Sequence, residues 1–281
     1  MLAAGWDAHQ HFWKLSRGDY PWPTREERVL YRDFSPRDLA PALADAGVGH
    51  TVVVQAAPTV EETRWLLAVA EATDYVAGVV GWVDLTAGDA PKTLDALRSS
   101  PYLVGIRPML QDLPDPRWIT QPEVKTNLQY CAEVGVCVDW LVTPRELPWV
   151  AEVAMSLPTL RYVVDHMGKP SAVTEDWASS MQVLAAHPGG HCKISGLSTW
   201  PPVPSPPDVG WKQEAVARVW DWFGPERLMF GSDWPVCLSG GITYREAVDV
   251  VHRLLPSQDP DAWDAVFRRN AARFYAPANE Q

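Results

Sequence analysis

Asp7-Ala8-His9-Gln10-His11-Phe12-Trp13 is the stretch on which the reading of this chain turns. If residues 5–11 form a strand, side chains alternate, so His9 and His11 share a face about 6–7 Å apart. That spacing suits two imidazoles converging on one metal ion or on one substrate carbonyl. A second signal stands near the far end, in Leu228-Met229-Phe230-Gly231-Ser232-Asp233-Trp234-Pro235, where an apolar strand delivers a carboxylate just as it ends.

Between these two ends the chain alternates. Short apolar, β-branched runs occur at 5–11, 50–55, 76–83, 103–108, 136–142, 161–165, 191–195 and 227–231. Apolar residues at helical spacing follow at 35–46, 60–73, 90–99, 123–134, 144–156, 175–186, 212–223 and 244–254, with a further helix at 260–275. Ser35-Pro36 offers a capping hydroxyl before a proline at the first helical position. Gly47 and Gly135 stand where helices should stop. Runs such as Thr51-Val52-Val53-Val54 fit a parallel sheet buried on both faces. Eight such units predict an α/β fold, a closed (β/α)8 barrel, and with no linker or composition break one domain over residues 1–281.

Composition narrows the function classes. The 281 residues are 47% apolar, ample for a large core, and carry a net charge of −11 with no basic block. Such a surface repels phosphate backbones and anionic lipid, so nucleic acid and membrane are poor partners. No run reaches membrane-spanning length, and a signal peptide is not expected ahead of residues 7–13. Cys131, Cys137, Cys192 and Cys237 lack metal or disulfide spacing and read as reduced thiols of a cytoplasmic protein. Prolines number 26 and tryptophans 15. The proline-rich segment 200–210 is expected to be a long loop.

In a barrel of this kind the active site lies at the C-terminal ends of the strands. Those ends supply His9, His11, Gln55, Trp82 with Asp84, Arg107, Asp139, His166, Lys193 and Asp233. Each has a bland alternative. Asp233 either caps the following helix or, beside a cation or imidazolium, stays ionised and takes a proton from water. Arg107 either grips a substrate carbonyl or carboxylate, or pairs with Asp84 or Asp139. Lys193 either contacts ligand or forms a buried pair with Asp233 or Asp165. Trp13, Trp22, Trp82 and Trp234 are individually packing residues, yet together could build a wall for the C–H face of a sugar.

These residues, taken in order, resemble the amidohydrolase superfamily, in the amidohydrolase-2 branch that holds sugar-lactone hydrolases. The likeness runs through residues 7–13, Asp19-Tyr20-Pro21-Trp22, Val53-Val54-Gln55-Ala56-Ala57-Pro58, Val80-Gly81-Trp82-Val83-Asp84-Leu85, Gly105-Ile106-Arg107 with Leu110-Gln111-Asp112, Asp165-His166-Met167-Gly168-Lys169-Pro170, Cys192-Lys193-Ile194-Ser195-Gly196 and residues 229–235. It implies a barrel that opens the ring ester of an aldonolactone such as L-fuconolactone. By that pattern His9, His11, His166 and Asp233 form the catalytic core, and the metal set if one is bound. Arg107, Trp82, Lys193, Gln55, Trp13 and Trp234 stand on the substrate side. A two-metal site is not expected, since His166 alone has the flanks of a late ligand. One zinc, or no required metal, both fit the branch, and a homo-oligomer is compatible with it. Pro108 replaces the histidine expected after Gly-Ile-Arg. The rival readings are a zinc-dependent decarboxylase or hydratase on the same barrel, and a hydrolase of a dicarboxylate pyrone. No GxSxG elbow occurs, so a serine nucleophile is not expected.

Overall fold

The computed structural model describes residues 5–199 and 210–276. Eight parallel strands run around one sheet in chain order: β1 (Gly5–Gln10), β2 (Val48–Val54), β3 (Val76–Gly81), β4 (Leu103–Ile106), β5 (Cys137–Trp140), β6 (Tyr162–Val164), β7 (Gly190–Ile194) and β8 (Leu228–Phe230). Helices α1 (Pro36–Ala46), α2 (Val60–Glu71), α3 (Ala90–Leu97), α4 (Pro122–Glu133), α5 (Leu147–Ser156), α6 (Glu175–Ala186) and α7 (Gly210–Phe223) connect them, and α8 (Tyr244–Leu254) follows the last strand. This is the expected (β/α)8 barrel. Six of the eight strands are shorter than the apolar runs that predicted them, and Gln55, Arg107 and Asp165 each lie one residue past a strand end. The expected loop at 200–210 falls outside the described residues, except Gly210, which opens α7.

Local chemistry explains the helix starts. Ser35 precedes Pro36, and Asp38 turns back to accept from the Ser35 amide at 2.8 Å. Thr59 and Thr243 accept from the third residue of α2 and α8 at 3.1 and 3.2 Å. Gly47 closes α1 with φ 72°, a left-handed conformation that glycine adopts without a Cβ penalty.

The sheet closes between β1 and β8 beyond the end of β8. Asp233 N donates to His9 O at 2.8 Å, and His11 N donates to Trp234 O at 2.7 Å. Beneath this seam Asp7, fully buried, accepts from Ser232 N, Ser232 Oγ, Tyr244 Oη and His9 N at 2.6–3.0 Å. Barrel closure and the two signature stretches are therefore one structure.

Apolar side chains pack in two places. One layer lies between the sheet and its helices. The other fills the barrel itself with Ala8, Val52, Val54, Val80, Cys137, Val163 and Met229. The floor of that interior is covered by the C-terminal helical segment, α9 (Pro260–Asp264), a π-turn at Ala265–Arg269 and α10 (Asn270–Phe274). Asn270 Nδ2 donates to Leu228 O at 2.8 Å, and the Phe274 ring lies 4.5 Å from that of His191. Both partners stand at strand starts. All four cysteines are buried and free. Among the described residues no helix is long and apolar enough to cross a membrane.

Candidate active site

His9 and His11 reach the same place through a bulge. Asp7 pairs with Thr51 but Gln10 pairs with Val53, so β1 carries one residue more than β2 across this interval. Ala8 can then pack in the barrel interior while His9 and His11 still turn inward. Their Nε2 atoms lie 3.2 Å apart. Asp233 Oδ1 sits 3.8 Å from His9 Nε2, 3.4 Å from His11 Nε2 and 4.0 Å from His166 Nε2. Three imidazoles from β1 and β6 thus surround one carboxylate oxygen from the end of β8.

The hydrogen bonds behind these rings bear on where their lone pairs point. His11 Nδ1 donates to Val54 O at 2.7 Å, because a carbonyl can only accept. Its Nε2 is then an acceptor when the ring is neutral. His9 Nδ1 stands 3.2 Å from both Asp165 Oδ1 and Lys193 Nζ. It cannot donate to one and accept from the other; we assign its proton to Asp165, because Lys193 already has two carboxylates. His166 Nδ1 is 2.7 Å from Ser195 Oγ. Burial lowers the pKa of all three histidines, that of His166 to about 4. They are neutral imidazoles at neutral pH.

Two lone pairs facing at 3.2 Å repel unless something positive lies between them. Tetrahedral zinc holds its ligands about 3.3 Å apart, given bonds of about 2.0–2.1 Å. Donor atoms of His9, His166 and Asp233 all lie within 4.8 Å of one another. The donor set, its spacing and the outer hydrogen bonds to Val54, Asp165 and Ser195 all fit one such ion.

A chain of buried charges underlies His9. Lys193 Nζ bonds Asp139 Oδ2 and lies 3.1 Å from Asp165 Oδ1. Arg107 Nη1 lies 3.4 Å from Asp165 Oδ2 and from His9 Nε2, while Nη2 donates to Gln55 O and, at 3.1 Å, to Gln55 Oε1. Burial penalises the Asp165 carboxylate, yet Lys193, His9 and Arg107 outweigh it and hold its pKa well below the ordinary range. Burial also opposes the Asp233 charge, but attraction to positive charge held among His166, His11 and His9 lowers its pKa below the ordinary carboxylate range, so it stays ionised. Asp139 moves the other way, its pKa raised to about 6 by burial.

Backbone strain concentrates on the same residues. His166, Met167, Gly168 and Lys169 all have positive φ, at 53°, 55°, 70° and 48°, and Asp233 has φ 56°. Non-glycine residues adopt this region at a cost of about 1–3 kcal/mol each. The left-handed turn brings His166 and Lys169 to one cavity of about 550 Å³, which His11, Arg107, Asp233 and Trp22 also line. Lys169 Nζ donates to Gln111 Oε1 at 2.7 Å.

The structure separates the sequence-predicted residues into groups. His9, His11, His166 and Asp233 converge. Arg107 lines the cavity with Gln55 buried behind it. Lys193 lies beneath His9 with no exposed surface, paired to Asp139 and Asp165 and not to Asp233. Arg107 pairs with Asp165 and with neither Asp84 nor Asp139; Asp84 is exposed and binds Thr86. Trp13 and Trp234 are both packed in ring contact with Phe34, away from the cavity lining, and the Trp13 indole donates to Arg32 O. Trp82 also stands outside the lining, its backbone held by Thr63. Of the four tryptophans, Trp22 forms part of the wall. Lys169, Gln111 and Glu27 also line it, and reasoning from strand ends missed them because each sits on a connecting loop. The turn signal Gly168-Lys169-Pro170, which starts two residues past His166, could have found Lys169.

The chain is 46% identical over 278 residues to an L-fucono-1,5-lactonase of Burkholderia ambifaria, covering 96% of this chain and 94% of that protein. It is 35% identical to an L-fucono-1,5-lactonase of Burkholderia multivorans, covering 96% and 95%. A crystal structure of an amidohydrolase from Burkholderia multivorans with bound zinc superposes with a TM-score of 0.90 at 34% identity, covering 98% of this chain and all of that one. The amidohydrolase family model matches residues 6–276. Sequence, barrel and relatives agree, and the chain belongs to the amidohydrolase family.

Proposed function

We propose that this protein hydrolyses a sugar lactone of the L-fucono-1,5-lactone type to its open-chain acid, with Asp233 as general base. The observation that carries this reading is an ionised Asp233 ringed by three neutral imidazoles at the wall of a lactone-sized cavity, in a chain close to two lactonases. His9, His11, His166 and Asp233 would hold one zinc ion, which when bound supplies Lewis acidity toward the ester carbonyl.

The chain's own groups do the rest. Water oxygen bonds to the carbonyl carbon as Asp233 takes a water proton. The ring C–O bond then breaks, and the leaving ring oxygen receives that proton from Asp233. Arg107 places positive charge beside the cavity where the carbonyl oxygen turns negative. Lys169 and Gln111 offer donors, and Glu27 an acceptor, to sugar hydroxyls. Trp22 gives an apolar face to ring C–H groups. Four buried free thiols suit a reducing compartment, and we place the reaction in the cytoplasm.

A pH-indicator assay across five- and six-membered aldonolactones tests the reading, since each turnover releases an acid proton. Asp233→Asn should lower kcat by about 10³-fold or more while the protein stays folded. Near-normal turnover in that variant would remove Asp233 from the base role. A wild-type protein silent on every lactone, but releasing CO₂ from an aromatic acid, would replace the lactonase with a decarboxylase.

A further inference from the structure

The last described turn of the chain reaches into the barrel from below. Tyr275 follows α10 and is 3% exposed, packed with Ala8, Val80 and Cys137 in the barrel interior. Its hydroxyl donates to Asp139, at 2.9 Å from Oδ2 and 3.1 Å from Oδ1. Its ring lies 5.4 Å from Lys193 Nζ. From Asp139 the path continues to Lys193, from Lys193 to Asp165 at 3.1 Å, and from Asp165 to His9 at 3.2 Å. An unbroken line of hydrogen-bonded groups therefore joins the floor of the barrel to the imidazole beside Asp233.

We infer that Tyr275 is a positioning residue: through Asp139, Lys193 and Asp165 it sets the orientation of His9. Among the described residues, the side-chain donors to the Asp139 carboxylate are Lys193 and Tyr275. Remove the hydroxyl and Asp139 draws more heavily on the Lys193 ammonium. Buried charges at low dielectric respond to one another, so the gain at Asp139 is a loss at Asp165. Asp165 then holds the His9 Nδ1 proton in a different geometry, and Nε2 shifts against Asp233. The link from Tyr275 to His9 stands on geometry alone, whereas its consequence for turnover rests on the lactonase reading.

Tyr275→Phe keeps the ring over Lys193 and removes the hydroxyl. Phe274→Leu is the matched control, since it loosens the same turn against His191 and leaves the hydroxyl in place. The first readout is the Nδ1–H proton resonance of His9 in metal-free protein, identified by its absence in His9→Gln. It should move in Tyr275→Phe and stay in Phe274→Leu. The second is the kinetic split on a lactone: kcat down about ten-fold in Tyr275→Phe, with KM changed less than about two-fold, a size typical of groups that orient a ligand histidine. An unmoved resonance with unchanged kcat overturns the proposal, and so do equal losses in both variants. If wild-type protein opens no lactone, the lactonase reading falls and the resonance alone decides the coupling.

Discussion

Gly231 has room for a hydrogen and no more. A Cβ there would stand 2.7 Å from His9 Cβ and 3.1 Å from Ser195 Cβ. Ser195 in turn holds the His166 ring, so an alanine would press on two of the three imidazoles at once. Gly231→Ala should therefore cost far more activity than stability: kcat/KM down about 100-fold, against about 1–3 kcal/mol of overpacking. Steady-state kinetics beside a thermal melt checks this, and a lower Tm with unchanged kcat/KM would mean the backbone absorbs the methyl. Much at this scale was legible in sequence. The convergence of His9, His11, His166 and Asp233 could be expected because strand ends are where such a barrel gathers its polar side chains. What was hidden depends on backbone no pattern displays. Lys169 enters the cavity through a left-handed turn, and the roles of Trp13 and Trp22 hinge on which face of one loop each ring packs against.

Between β1 and α1 a long loop carries Trp22, Glu27 and Leu30 to the cavity, and α2 anchors it. Arg17 pairs with Asp19, and Asp19 accepts from Thr59 Oγ1 at 2.9 Å. Behind Thr59, the fully buried Glu62 accepts from Ala56 N and Ala57 N at 2.9 and 2.7 Å. Burial raises the Glu62 pKa from its ordinary 4.5 to about 7, against the pull of those two amides. An acid raised on folding binds its proton more tightly in the folded state. Its contribution to stability is whole below pH 4.5 and is lost as pH rises to about 7. Glu62→Gln keeps an acceptor for both amides and never ionises. It should match wild type near pH 4.5 and melt about 3–6 °C higher at pH 8. Melting curves of both proteins across that range decide it; an offset independent of pH would show that Glu62 does not titrate on folding. The eight strands and their helices were plain from periodicity, whereas this anchor was not, because a glutamate in the first turn of a helix reads as an ordinary surface residue.

Across the whole molecule, the groups that would bind a metal come from the start, the middle and the later part of the chain. His9 lies in β1 and His11 just past it, His166 follows β6, and Asp233 stands at the seam where β8 meets β1. The unfolded chain cannot assemble them, so an ion held there stabilises the entire barrel and not one loop. Free zinc at 100 times its dissociation constant adds about 2.7 kcal/mol, which for a domain of this size raises Tm by about 5–8 °C. Saturating zinc should therefore raise Tm and a chelator reverse it, with the shift lost in His166→Ala, where one buried donor is gone. An equal shift in that variant would place the ion elsewhere on a surface of net charge −11. No shift in wild type would carry a different meaning: the Arg107 guanidinium would then polarise the carbonyl by hydrogen bonding without an ion. One of the two facing Nε2 atoms at 3.2 Å must in that case bear a proton.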